Sequence, residues 1–312
     1  MRLRDLGEFE LIERIARRAA RLPSTRDVVL SIGDDAAVLR PRPGEDLVVT
    51  TDAAVENVHF RWDRASPRVI GRRALVANLS DLAAMGARPL GCVASLVAPG
   101  ELELGRVDGL MDGILAEARL HACPLVGGNL SRGGETSLAI TAFGACRRGA
   151  ALTRRGARAG DRILVTGSLG ASALALARAE RVGAPIRRVP RPRLVAGRAL
   201  ARLPGVGACI DVSDGLEADL AHLLAGRGLR AELDTRHLPL PRGFRAACEE
   251  LGLDPAALAS AGGEDYELLF TLRPGTPSER HLSKRLGVRV TQLGRVVKGA
   301  RGSLPPRGWR HF

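Results

Sequence analysis

Apolar positions along this chain change period repeatedly, and each change marks an element. From 8 to 20, Phe9, Ile12, Ile15, Ala16 and Ala19 recur at helical spacing and predict an amphipathic surface helix. Short β-rich runs follow at 28–32 and 47–51. Val69, Leu75, Leu79 and Leu82 mark the buried side of a helix over 67–85. Next come a strand at 91–98, a helix at 104–120, a short buried run at 124–126 and a strand at 137–146. Residues 147–160 are polar and rich in Gly and Arg, which predicts a boundary between a domain of residues 1–147 and one of 148–312. The rhythm then restarts with a strand at 163–166, helices at 170–182 and 193–203, a strand at 208–212, a helix at 214–225 and a strand at 229–233. A strand at 266–272, a helix at 278–286 and a strand at 288–296 complete it. Two successive α/β units are the economical fold class, and 312 residues suffice for two cores.

Composition narrows the function classes. Aromatics make up only 3% of the chain, so the cores must be built from Ala, Val, Leu and Ile. The net charge of +13 suggests a polyanion, but lysine occurs only at Lys284 and Lys298, and the arginines are spread over the whole length. No basic run is interleaved with aromatics that could stack on bases, so specific nucleic-acid binding is not expected, while anionic small substrates are. The five cysteines form no CxxC pair and mostly lie in apolar stretches, the pattern of buried reduced thiols in a cytoplasmic protein. No apolar run is long enough to span a bilayer, so no membrane partner is expected.

Acidic residues recur at turn-like positions after apolar runs. They are Gly33-Asp34-Asp35, Thr50-Thr51-Asp52, Ser80-Asp81, Asp211-Val212-Ser213-Asp214-Gly215 and Gly262-Gly263-Glu264-Asp265. Each alone is accounted for as a turn residue or a helix N-cap. Converging carboxylates would repel one another without a hard cation between them, and Mg²⁺ is the usual cation of phosphoryl-transfer sites. No GxxxxGK[ST] is present, which excludes a P-loop. Gly226-Arg227-Gly228-Leu229-Arg230-Ala231 fits GxGxxA but follows a predicted helix, so it is no dinucleotide fingerprint.

Taken in order, the clusters resemble the thiamine-monophosphate kinases of the aminoimidazole-ribonucleotide-synthetase-like superfamily. The matching stretches include Gly33–Leu39, Thr50–Asp52 with Val58-His59-Phe60, and Asn78–Ala87. They continue with Val126-Gly127-Gly128, Ala151–Arg154, Asp211–Leu216, Gly262–Leu268 and Gly308–Phe312. The resemblance implies a two-domain α/β (α+β) synthetase-like fold, with an N-terminal sheet that forms a barrel in a homodimer and a C-terminal α/β domain. It implies transfer of the ATP γ-phosphoryl group onto thiamine monophosphate with Mg²⁺, giving thiamine diphosphate. On this resemblance Asp35, Thr50, Thr51, Asp52, Asp81, Asn129, Asp211 and Asp214 form the metal shell, with Asp52, Asp81, Asp211 and Asp214 at the chemistry. Gly128, Asn129, Arg154 and Ser213 would touch ATP, and His59, Glu264 and Trp309 the thiamine phosphate. An anionic phosphate acceptor needs no general base, so in-line transfer rests on positioning and charge neutralisation.

On residue grounds alone, His59 between Val58 and Phe60 is a packed histidine, Trp309 a terminal anchor, Arg154 solvated surface and Ser213 an N-cap whose helix could also face phosphate. Three residues depart from the family pattern: Asn129 stands where Asp is usual, Asn57 where Gly is common, and Arg310 where Asp is frequent. Asn tolerates positive φ better than most residues, so the Asn57 loop is expected to survive. Rival readings are another ATP-dependent synthetase of the superfamily and a non-catalytic regulator that binds ATP or thiamine phosphate. Selenophosphate synthetases need a reactive Cys near the N-terminus, and the first cysteine here is Cys92.

Overall fold

The structure is a computed structural model and describes residues 1–6, 8–23, 25–32, 36–275 and 277–299, without the side chains of Glu8, Phe9 and Thr235. Asp35 and Trp309 lie outside the described residues. The chain divides into two compact units. The first comprises Met1–Leu82, Arg88–Gly149 and Ala184–Val189; the second Ala83–Ala87, Ala150–Gly183 and Pro190–Phe312.

In the first unit the elements are α1 (Glu8–Ala19), β1 (Val28–Leu30), β2 (Val38–Leu39), β3 (Glu45–Val55), α2 (Pro67–Ala84), β4 (Arg88–Ala98), α3 (Leu104–Leu120), β5 (Leu125–Arg132) and β6 (Ser137–Arg147). Strands β3, β6, β4 and β5 form one sheet in that order, with β4 and β5 parallel and the other pairs antiparallel. The parallel pair follows from α3, which supplies the crossover that parallel neighbours need. The expected short run at 124–126 continues to Arg132, because pairing with β4 carries the strand through Gly127 and Gly128. One face of the sheet is buried through Cys92, Leu96, Leu138, Ile140 and Ala142. The opposite face carries Val93, Ala139 and Phe143, only half-buried, and the exposed Leu47 and Val49.

Helices α2 and α3 meet through glycine. A Cβ on Gly71 would lie 2.0 Å from the carbonyl oxygen of Leu110, and one on Gly113 2.2 Å from that of Arg68. Arg14 and Arg18 of α1 clasp Asp108 of α3. At the start of β4, the Arg88 guanidinium donates to Asp27 at 2.5 Å and Glu45 at 2.6 Å. It ties the base of the β1–β2 hairpin to β3 and holds the Glu45 carboxyl below its ordinary range.

The second unit contains β7 (Arg162–Thr166), α4 (Ala171–Val182), α5 (Leu194–Leu200), β8 (Val206–Asp211), α6 (Leu216–Leu224) and β9 (Leu229–Leu233). It continues with α7 (Phe244–Glu250), α8 (Pro255–Ala261), β10 (Leu268–Leu272), α9 (Glu279–Leu286) and β11 (Val290–Lys298). Its sheet runs β8-β10-β7-β11-β9, antiparallel throughout. Phe244, Leu216, Leu220, Leu223, Ile163, Val165, Ile210 and Leu269 belong to its core. Helices α7 and α8 have no counterpart in the hydrophobic periodicity. Three further elements start two residues later than their patterns suggest, α6 at Leu216, β10 at Leu268 and β11 at Val290. Before α6 and β10 the chain is bent by positive φ, at Gly215, Glu264 and Tyr266.

All five cysteines are free and buried. Among the described residues no helix is long and apolar enough to cross a membrane.

Gly71→Ala tests the helix crossing. Helix propensity alone favours alanine by about 1 kcal/mol, but overpacking costs about 1–3 kcal/mol. The urea midpoint is expected to fall; an unchanged or raised midpoint would contradict the close approach.

Candidate active site

In the first unit, strand alternation sorts the candidates. Thr50 pairs with Ala142 and Asp52 with Ile140, so both side chains share the covered face of the sheet. Thr51 pairs with Thr141 on the opposite face, where its hydroxyl donates to the Ile140 carbonyl at 3.2 Å and accepts from Thr141 at 3.0 Å. Asp81 is half-buried near the end of α2 and accepts a 2.5 Å hydrogen bond from Thr50 Oγ1. Thr50, Asp52 and Asp81 therefore lie on one side of the sheet. Asn129 is in register with Ser95, on the same side as Thr51, and its Nδ2 donates to Ser131 Oγ at 2.9 Å. Gly128 is required sterically, since a Cβ there would meet the Ala94 carbonyl oxygen at 2.0 Å.

His59 is exposed, not packed. It sits in a tight loop after β3, where Val55 O accepts from His59 N at 2.8 Å and Asn57 N donates to Phe60 O at 2.8 Å. Asn57 takes φ +62°, the conformation for which its residue type was expected to serve. His59 Nδ1 accepts from Val55 N at 3.1 Å, so the neutral ring carries its proton on Nε2. Beyond the loop, Phe60 meets Trp62 edge-on with ring centroids 5.0 Å apart, and Arg106 stands 5.0 Å over the Trp62 ring. These contacts fasten the loop beside α3.

In the second unit two acidic loops are woven together at one end of the sheet. Asp211 ends β8 and is buried. Val212 N donates to Glu267 O at 2.8 Å, Tyr266 N to Val212 O at 2.9 Å, and Glu264 N to Ser213 O at 2.7 Å. Gly263 has no room for a side chain, because a Cβ would lie 2.4 Å from Ser213 O. Glu264 and Tyr266 adopt φ +59° and +53°, strained values for residues with a Cβ.

Several carboxylates in and beside these loops turn inward. Asp265 accepts from the amides of Gly170 and Ser172 and so serves the N-terminus of α4. Glu267 takes a bidentate pair from Arg193 at 2.6 and 2.5 Å and a bond from Thr166 Oγ1 at 2.7 Å. Asp219 Oδ2 accepts from the amides of Ser213, Asp214 and Gly215 at 3.0, 3.1 and 3.1 Å. Burial, and then the charge of Asp214, push the Asp219 carboxyl up to about 7 against those three bonds. The N-cap of α6 is Gly215 with no side-chain cap, so Ser213 does not cap that helix. Arg154 is exposed, in the turn whose Thr153 carbonyl accepts from Cys209 N at 2.9 Å. Asp219, Glu267 and Arg193 were not singled out from the sequence, and Asp265 was picked out only as part of the acidic cluster at 262–265. Of the first three, only Asp219 carried a signal, an acid in the first turns of a helix after a Gly.

Among the described residues no three His, Cys, Asp or Glu side chains gather as a metal-binding group. The donors at hand are all oxygen: Thr50, Asp52 and Asp81 in the first unit, Asp211 and Asp214 in the second. Such a set fits a hard cation and not zinc or copper.

The family described as "AIR synthase related protein, N-terminal domain" matches residues 33–146, and its C-terminal domain matches residues 158–305. Thiamine-monophosphate kinase of Mycobacterium tuberculosis is 39% identical over 274 residues, 86% of this chain and 81% of its own. The crystal structure of thiamine-monophosphate kinase from Stenotrophomonas maltophilia superposes with a TM-score of 0.80 at 40% identity, covering 94% of this chain and 95% of that one. AaThiL complexed with AMPPCP and TMP gives 0.75 at 31% identity, covering 100% and 99%.

The positive φ at Asn57 gives a direct test. A β-branched residue in that conformation costs about 1–2 kcal/mol, so Asn57→Val should lower the unfolding free energy by that amount, whereas Asn57→Gly should leave it nearly unchanged. Equal losses in urea titrations of the two variants would argue against the loop geometry.

Proposed function

The chain belongs to the AIR synthase related family and, within it, to the thiamine-monophosphate kinases, and from that membership we propose that it transfers the γ-phosphoryl group of ATP onto thiamine monophosphate, giving ADP and thiamine diphosphate. The observation that carries this reading is the likeness over the whole chain to a kinase solved with an ATP analogue and TMP.

The chemistry asks little of the protein in covalent terms. The acceptor oxygen arrives ionised, so no side chain has to remove a proton before attack. What opposes transfer is the repulsion between two polyanions, and lowering it is a matter of alignment and charge neutralisation. Bound Mg²⁺ would supply that neutralisation. In the first unit Asp81 and Asp52 would hold it, with Thr50 keeping the Asp81 carboxylate in one orientation. In the second unit Asp211 and Asp214 take this role. Arg154 adds a fixed positive fork toward nucleotide phosphates. His59 offers Nε2–H as a donor to the acceptor's phosphate, an orientation supported by the Val55 N–H on its other nitrogen.

The open face of the first unit's sheet, with Leu47 and Val49 exposed, suits a second copy of the chain, so we take the enzyme to be a homodimer. Five free, buried thiols accord with cytoplasmic residence.

Incubation with Mg²⁺, ATP and either thiamine monophosphate or thiamine, followed by product identification, is the test. The monophosphate should yield thiamine diphosphate and ADP, with thiamine a poor acceptor. Efficient phosphorylation of thiamine, or no diphosphate at saturating Mg²⁺, would refute the assignment.

Asp214→Ala should lower turnover at least about 100-fold, in the range seen when one electrostatic group is lost from a preorganised site. Its unfolding midpoint should stay near that of the native chain. Near-normal turnover in the folded variant would remove Asp214 from the reaction.

A further inference from the structure

The N-terminal end of α6 has the form of an anion site, since three consecutive amides converge on one point. That point is already filled from within. Asp219 Oδ2 receives the N–H groups of Ser213, Asp214 and Gly215 at 3.0–3.1 Å, and Asp219 is only 1% exposed. The carbonyl side of the same loop is held separately, by Glu264 N on Ser213 O at 2.7 Å and Tyr266 N on Val212 O at 2.9 Å. Gly215 itself sits at φ +116° with only 2.6 Å between a would-be Cβ and Ala261 O. The loop is therefore clamped through its main chain on both sides. None of these clamps uses the Ser213 or Asp214 side chain.

We propose that Asp219 is a positioning residue for the phosphoryl transfer, an internal carboxyl group that fills the amide nest ahead of α6 and so fixes the direction of the Asp214 and Ser213 side chains. Two consequences follow. The α6 N-terminus is closed to phosphate oxygens, so the second unit engages nucleotide through side chains. And Asp219 acts on the rate through Asp214, without touching substrate. A displacement of about 1 Å at a reacting centre costs on the order of 100-fold in rate, which sets the expected size of its removal. This inference rests on the kinase reading for its rate effects but not for its structural ones.

The experiment uses the full chain as native protein, Asp219→Ala and Asp219→Asn. Amide hydrogen exchange is measured first, without substrates. Ala should speed exchange at Asp214 and Gly215 far more than in the core strands, and Asn, which keeps an acceptor oxygen, should restore most of the protection. In steady-state kinetics Ala should lower kcat about 100-fold with the KM for thiamine monophosphate within about threefold, and Asn should recover at least a tenth of native kcat. If Ala does not fold, the Asn variant decides by the same two readouts. Unchanged loop exchange in Ala, an Asn variant as slow as Ala, or a change confined to KM would each overturn the positioning role. A native protein that makes no thiamine diphosphate would refute the kinase reading instead, leaving the exchange result to judge the clamp.

Discussion

Buried main-chain amides must have acceptors, and the second unit meets that demand with carboxylates. Asp219 takes three amides, Asp265 two, and Glu267 an arginine and a threonine. Each lies within or beside the two loops that carry Asp211, Asp214 and Glu264. The acidic residues of the unit thus divide into those that build the loops and those that the loops leave half-buried, Asp214 and Glu264, while Asp211 is buried at the end of β8. Strain at Glu264 and Tyr266 persists because the contacts around it over-determine the backbone. Removing an inward carboxylate would leave buried donors unsatisfied, a cost of about 1–3 kcal/mol for each group.

The first unit reaches a comparable division by geometry alone. Period-two alternation along β3 sends Thr50 and Asp52 to the covered face and Thr51 to the open one. Asp81 reaches the covered side from α2, and glycine contacts such as Gly71 against Leu110 let α2 and α3 approach each other closely.

Much of this was legible in the sequence, and the exceptions have physical causes. The periodicity placed α2, α3 and the central strands, and the ordered motifs pointed to the family and its reaction. The tolerance of Asn57 for positive φ was readable from its residue type. At seven residues α7 and α8 offer few turns in which a period can register, and α5, equally short, was found only within a longer predicted run at 193–203. Even so, Asp254 followed by Pro255 is a helix-start signal, and the Asp254 carboxylate does cap α8. The segment before β10 was taken into the strand because Tyr266 has strand propensity; tertiary contacts hold it at positive φ instead. The roles of Asp219, Asp265 and Glu267 depend on which amides come near them, and a linear pattern does not encode that.

The central claim is that inward carboxylates fix the loops so that outward ones can serve the phosphates. A crystal structure with Mg²⁺, a non-hydrolysable ATP analogue and thiamine monophosphate tests it most directly. The account predicts Asp219 Oδ2 still bonded to the amides of Ser213, Asp214 and Gly215, with Asp214 oxygens on a magnesium ion. Asp219 turned onto the metal, or those three amides turned onto an ATP phosphate, would contradict it.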